Sequence, residues 1–275
     1  MADYARPEML VDAAWLQDHL NDPDLRVVDC DVPDQYRRGH IPGAVCYMGP
    51  SDHYYKSIDD RRFIMPPDEF ARAMASLGIG DSTQVIAYDN SSSLYAGRLW
   101  WCLNYYGHPG VRVLNGGWPL WLAEGRAISL DIPKVTAPGP FTPAANESIR
   151  ANVDYVRAAI DRDDIVILDV RSDAEWQGTN DRGNKRAGHI PNAVHLEWLN
   201  NVEPEGARRL KSADDLRRMF EAAGVTPDKE IVTVCQGGIR AAQAAMTLTL
   251  LGYPKVRDYD GSHLDWSNRE DTPLV

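Results

Sequence analysis

One stretch of the sequence could carry covalent chemistry. A β-branched run, Ile231-Val232-Thr233-Val234, ends at Cys235; Gln236, Gly237, Gly238 and Ile239 follow, then Arg240 and an alanine-rich stretch. Two adjacent glycines permit a tight curl in which successive backbone N–H groups converge on one point. A helix beginning near Ile239 adds the positive end of its dipole. A thiolate at Cys235 is expected to sit at that focus and to be stabilised there. A cysteine that merely ends a strand is more often a small buried apolar residue, and the glycine loop and helix start tip the reading toward a nucleophile. The spacing narrows the chemistry. Cysteine phosphatases place five residues between cysteine and arginine, so that the loop surrounds a tetrahedral phosphate. Here four separate Cys235 from Arg240. A narrower ring suits one extra sulfur atom held as a persulfide.

Such a loop needs a strand before it and a helix after it, and the chain supplies that pattern twice. Gly39-His40-Ile41-Pro42-Gly43-Ala44-Val45 returns as Gly188-His189-Ile190-Pro191-Asn192-Ala193-Val194, and Gly107-His108-Pro109-Gly110-Val111-Arg112 is echoed by Gly252-Tyr253-Pro254-Lys255-Val256-Arg257. Gly116 and Trp121 correspond to Gly261 and Trp266. The two echoes lie 149 and 145 positions apart, a period too long for a solenoid. Two tandem copies of one domain are expected: residues 1–128, a linker over 129–148 rich in proline (Pro133, Pro138, Pro140, Pro143), and residues 149–275. Strands are predicted over 25–29, 84–88, 165–169 and 230–234, and helices over 68–77, 213–223 and 239–251, with Ser212 as an N-cap and Asp215 resembling a capping box. Alternation of strand and helix predicts α/β domains, each a mostly parallel sheet with helices on both faces. Ligands then gather beyond the carboxyl ends of the strands, where Cys235 falls.

Composition removes other classes. Asp and Glu number 40 against 29 Lys and Arg, a net charge of −11; such a chain is repelled by phosphate backbones and anionic membranes, so neither nucleic acid nor membrane is expected as a partner. No apolar run reaches the roughly 18 residues of a membrane span. Met1 to Leu10 carry no basic stretch followed by an apolar one, so no secretory leader is expected. Cys30, Cys46, Cys102 and Cys235 are widely spaced with no C-x-x-C pair, which predicts reduced thiols, a cytoplasmic setting and no metal site. Cys30, Cys46 and Cys102 lie outside any such loop and are expected to be structural.

The chain resembles the two-domain rhodaneses, the thiosulfate and 3-mercaptopyruvate sulfurtransferases, over nearly its whole length. Leu168 to Trp176 followed by Gly188 to Ala193, the stretch from Tyr88 to Trp121 with Leu114-Asn115-Gly116-Gly117-Trp118, and the Cys235 loop carry the resemblance. It implies two rhodanese-like domains, Cys235 as the catalytic nucleophile, and a silent first domain that forms one wall of a cleft at the domain interface. Asn90, or Asp89 with one gap, stands where that domain would need its cysteine. Arg171 and Arg182 match the family's substrate arginines, and Arg240, Gln236, Gly237 and Gly238 complete the expected binding loop. An arginine fork suits the oxyanion of either donor. For Arg171 the alternative is an ion pair with Asp169 or Glu175; Arg240 either lends charge to the site or turns away to a neighbouring acid. His40 and His189 occur in both copies and are expected to be structural.

The pattern departs from both branches. Thiosulfate-preferring members carry two basic residues after the cysteine, where Gln236 and Gly237 stand. Mercaptopyruvate-preferring members carry Gly-Ser-Gly, with the serine and a first-domain histidine moving a proton; here the serine is missing and Phe63 stands where the histidine is expected. The balance leans to thiosulfate, whose sulfite leaving group needs no proton. The implied reaction passes a sulfane sulfur from a small anionic donor through a Cys235 persulfide to cyanide, a thiol or a sulfur-carrier protein, with no cofactor. The rivals are a phosphatase or arsenate reductase on the same scaffold and a non-enzymatic sulfur-relay or docking module.

Overall fold

In a computed structural model, residues 4–136 and 139–275 are described. In the first half the elements run β1 (Leu10–Val11), α1 (Ala13–His19), β2 (Leu25–Asp29), α2 (Pro33–Tyr36), β3 (Val45–Cys46), α3 (Pro67–Ser76), β4 (Gln84–Tyr88), α4 (Leu94–Tyr105), β5 (Val111–Leu114) and α5 (Gly117–Ala123). The second half repeats them as β6 (Arg150–Ala151), α6 (Val153–Ala159), β7 (Ile165–Asp169), α7 (Asp173–Trp176), β8 (Val194–His195), α8 (Ala213–Ala222), β9 (Glu230–Val234), α9 (Ile239–Leu250), β10 (Val256–Tyr259) and α10 (Ser262–Trp266). Each half carries a five-stranded parallel sheet, in the orders β1-β5-β4-β2-β3 and β6-β10-β9-β7-β8. The fold is therefore a tandem of two α/β units, each built on a five-stranded parallel sheet.

The local chemistry explains the repetition. All five residues of β7 are buried, as expected for a strand covered on both faces. Asp12 and Asn152 cap equivalent helices, accepting the amides of Trp15 and Tyr155. Ser212 accepts the Asp215 amide at the start of α8. Trp121 and Trp266 are wholly buried in corresponding cores.

By packing, one unit comprises Glu8–Asn146 with Val202–Leu210, and the other residues 4–7, Glu147–Asn201 and Lys211–Val275. In the first, Val202 pairs with Leu210 and the Leu210 amide donates to Asn115 Oδ1 at 2.9 Å. In the second, the Arg6 amide donates to the Leu250 carbonyl at 3.1 Å and the Tyr4 hydroxyl to the Lys211 carbonyl. The linker expectation falls on 129–148; Ala137 and Pro138 lie outside the described residues. No helix among the described residues is long and apolar enough to cross a membrane.

Candidate active site

The central strand β9 ends at Val234, so Cys235 is the first residue beyond the carboxyl edge of the sheet. The chain then turns through Gln236, Gly237 and Gly238 into α9. Gly238 carries the curl: its φ is +79°, and a β-carbon there would lie 2.5 Å from the Asp260 carbonyl oxygen. Gly237 has no positive φ, and a β-carbon on it would meet no heavy atom within 4 Å. The Cys235 residue is buried, 1% exposed. The Gly238 amide donates to its Sγ at 3.1 Å. Behind the loop, Ser262 Oγ accepts the Cys235 amide at 3.0 Å while donating to the Tyr259 carbonyl at 2.7 Å. The His263 and Leu264 amides hold the carbonyls of Cys235 and Gln236 at 3.0 and 2.7 Å. The loop is thus pinned on its inner side by the segment after β10. That segment pays for the contact with a left-handed backbone at a non-glycine residue, Ser262, φ +48°.

The arginines separate into different settings. Arg171 is 3% exposed. Its Nε and Nη2 donate to Asp169 at 2.9 and 2.7 Å, and Nη2 also reaches the Gly188 carbonyl at 3.0 Å. Arg240 grips Glu175 with both arms, at 2.6 and 2.7 Å. Both guanidiniums thus hold an ion pair with a nearby acid. Arg182 differs: its side chain is 55% exposed and its Nε lies 3.8 Å from Glu175 Oε1. Gln236 exchanges two hydrogen bonds of 3.0 Å with Asn184. Asn184 in turn accepts from Asn268 at 2.9 Å. The 178–188 segment is therefore tied to the loop through an amide pair.

Electrostatics follow from these contacts. Burial would raise the Glu175 carboxyl, but the Arg240 fork together with two hydrogen bonds from Ser172 outweighs it and holds the group at about 2. Burial would also raise Asp169, yet His263 and Arg171 keep it well below the usual range. His263 is fully buried, with Nε2 3.3 Å from Asp169 Oδ2 and Nδ1 2.7 Å from Ser267 Oγ; burial lowers its pKa and Asp169 opposes the change. Among the described residues no group of His, Cys, Asp or Glu is arranged to hold a metal ion.

A buried cysteine at a strand end, an amide on its sulfur and a helix start beyond it occur in a chain whose two repeats, residues 12–124 and 152–269, each match the rhodanese-like domain model. The chain belongs to the rhodanese family. It is a sulfurtransferase. It is 37% identical to the sulfur carrier protein TtuD of Thermus thermophilus, over 99% of this chain and 98% of that one. It is 34% identical to the thiosulfate sulfurtransferase of Azotobacter vinelandii, over 100% and 99%. Among solved structures, the anaerobic ergothioneine biosynthesis enzyme of Chlorobium limicola, in complex with trimethyl histidine, aligns with a TM-score of 0.87 at 26% identity. That alignment covers 100% of this chain and 71% of the other.

The first rhodanese repeat has no cysteine at the matching place. Asp89 follows β4 directly, as Cys235 follows β9, so the one-gap alignment describes the loop and Asn90 is its second residue. The Asp89 carboxylate folds back into the loop and accepts four backbone amides, from Ser91, Ser93, Tyr95 and Ala96, at 2.8–3.0 Å. The structural reading of the repeated histidines has matching geometry: His40 stacks on Tyr36 and bonds its carbonyl, and His189 does the same with Trp176. Sequence reasoning did not single out Ser262, His263 or Asn184. The first two had a signal in the repeat, where they stand opposite Gly117 and Trp118, and a difference between copies at that point marks a changed neighbour for the loop.

Proposed function

We propose that Cys235 is the nucleophile of a two-step sulfur transfer with thiosulfate as donor. The thiolate attacks the outer sulfur, the sulfur–sulfur bond of thiosulfate breaks, and sulfite leaves with the electron pair. The outer sulfur remains on Cys235 as a persulfide. A thiol, cyanide or a sulfur-carrier protein then attacks that sulfur and restores the thiolate. Covalent catalysis replaces one hard displacement by two easier ones. The observation that carries this reading is the Gly238 amide 3.1 Å from Sγ, in a loop that opens α9. Arg182, the exposed member of the three arginines, is proposed to meet the donor's sulfonate. Arg171 and Arg240 are proposed to hold the floor and the end of the loop through their acids.

Thiosulfate is preferred over 3-mercaptopyruvate because sulfite departs without a proton, and the loop residues Gln236, Gly237 and Gly238 offer no acid. Incubation with thiosulfate followed by intact-protein mass measurement is expected to add one sulfur atom to the wild type and none to Cys235→Ser. A serine variant that still gained sulfur would overturn the assignment. The ratio of kcat/KM for thiosulfate and 3-mercaptopyruvate on one preparation tests the donor.

A further inference from the structure

The first repeat has a cavity of about 350 Å³ at the same sheet edge, lined by Asp29, Asp31, Asn90, Trp118, Leu122 and Ile128, with Gln35, Arg38 and Gly39 around it. Its charge is inverted relative to the catalytic repeat. Asp29 ends β2 as Asp169 ends β7, and each faces the last residue of the next central strand, Tyr88 or Val234. Two residues further, Arg171 in one copy is Asp31 in the other. Asp169 therefore has a guanidinium beside it, whereas Asp29 has a second acid.

We propose that this cavity binds a small organic cation, an ammonium or guanidinium carried on a short aliphatic stem. Asp31 is 3% exposed. Its Oδ2 accepts the Asn90 amide at 2.8 Å, but its Oδ1 is buried with no hydrogen-bond partner among the described residues. An unsatisfied buried acceptor of this kind has lost its water without a replacement, and a ligand donor supplies one. Asp29 is partnered by the Tyr88 hydroxyl at 2.7 Å and the Asp31 amide at 3.0 Å, so it contributes charge more than open lone pairs. Trp118 offers a ring to a cation or its stem. Leu122 and Ile128, 47% and 55% exposed, offer apolar surface for the aliphatic part. A hollow of this size that sets convergent polar groups beside the apolar surface of Trp118, Leu122 and Ile128 has room and chemistry for a small amphipathic cation.

Burial, then Asp89 and Asp29, push the Asp31 carboxyl up to about 8. The thiols of Cys30 and Cys46 and the His40 ring also face this acidic group, Arg37 acts on Cys46, and Arg38 lines the cavity. A cation binds the ionised form of Asp31, so affinity rises with pH through that value.

The test is isothermal titration of the full chain with butylguanidinium, against neutral butylurea of the same shape. Butylguanidinium is expected to bind at least tenfold more tightly than butylurea, and at least fivefold more tightly at pH 8.5 than at pH 6.5. Asp31→Asn is expected to lose at least tenfold of that affinity while Cys235 still takes up sulfur from thiosulfate. A capped tripeptide with arginine at its centre forms a second arm; tighter binding of the free compound assigns the site to a metabolite, and tighter binding of the tripeptide to a protein side chain. Equal binding of butylurea, or affinity indifferent to pH in the wild type, overturns the proposal even where the variant fails to fold.

Discussion

Replacing Glu175 by glutamine removes the charge that both arms of Arg240 hold. The carboxyl sits at about 2 against an ordinary 4.5, because burial, which would raise it, is outweighed by the Arg240 fork together with two hydrogen bonds from Ser172. At roughly 1.4 kcal/mol per pH unit, that displacement is worth about 3 kcal/mol. The side chain is 4% exposed and that of Arg240 17%, so solvent screens the pair little. Arg240 is raised by the same contact, which is counted once. Glutamine also leaves the guanidinium buried without its counter-charge, and breaking one side of such a pair costs roughly 3–5 kcal/mol. The two estimates agree on a loss near 3 kcal/mol at neutral pH.

The sign with pH is fixed. A carboxyl whose folded pKa is depressed contributes stability that is complete above 4.5 and fades as the pH falls from there toward 2. The wild type should therefore lose stability between pH 5 and pH 3 with a component that E175Q lacks. Hydrogen exchange at the α9 amides reads the catalytic repeat separately from the first. Expected are a loss of about 3 kcal/mol at pH 7 in E175Q, convergence of the two proteins toward pH 3, and a lower kcat/KM for thiosulfate. The coupling is checked by adding Arg240→Met, whose cost should shrink in the E175Q background. Equal α9 protection in wild type and E175Q at pH 7, or an undiminished gap at pH 3, would refute the reasoning.

Gly238→Ala places a β-carbon 2.5 Å from the Asp260 oxygen on a left-handed backbone. The conformation alone costs roughly 1–2 kcal/mol, and sulfur uptake by Cys235 should slow at least tenfold in stopped-flow measurements. Asp89→Ala leaves four loop amides without the carboxylate that holds them; a loss on the order of 3 kcal/mol in the first repeat is expected from urea unfolding, with persulfide formation at Cys235 retained. Arg182→Ala removes an exposed cation and should raise KM for thiosulfate about tenfold, or about 1.4 kcal/mol, with little change in kcat; unchanged KM would remove Arg182 from the donor site.

The central strands were legible to the residue, since 25–29, 84–88, 165–169 and 230–234 are short runs rich in Val and Ile, most of whose residues are buried. The start of α9 was legible because Gly238 must precede it. Pairing of the arginines was not: Asp169, Glu175 and solvent all compete for Arg171 and Arg240, and spacing along the chain cannot rank a contact between residues 65 positions apart, as Glu175 and Arg240 are. The packing of Val202–Leu210 within the first unit was equally hidden, because the Leu210 amide on Asn115, the Arg209–Glu124 ion pair and Ala207 against the first core leave no periodic mark. The role of Asp89 lay between the two. The repeat located it, and only the fold revealed its carboxylate turned inward onto four amides.

That inward carboxylate bears on the chemistry of the other loop. Both copies leave a central strand and enter a helix through a short turn, and in each a backbone amide of that turn reaches the side chain of the residue that follows the strand. In the first, the loop between Asp89 and α4 is one residue longer than that between Cys235 and α9, and two carboxylate oxygens take two amides each. The first loop thus carries its own carboxyl group and is wide enough for its two oxygens. In the second, a single sulfur lies on the Gly238 amide, and the turn lacks the residue that widened its twin. A narrower cradle in the same field favours one additional atom on Sγ over a tetrahedral phosphate, which argues for sulfur transfer and against phosphate chemistry on this scaffold. An aryl phosphate offered to the protein should accordingly remain unhydrolysed, whereas thiosulfate should load it.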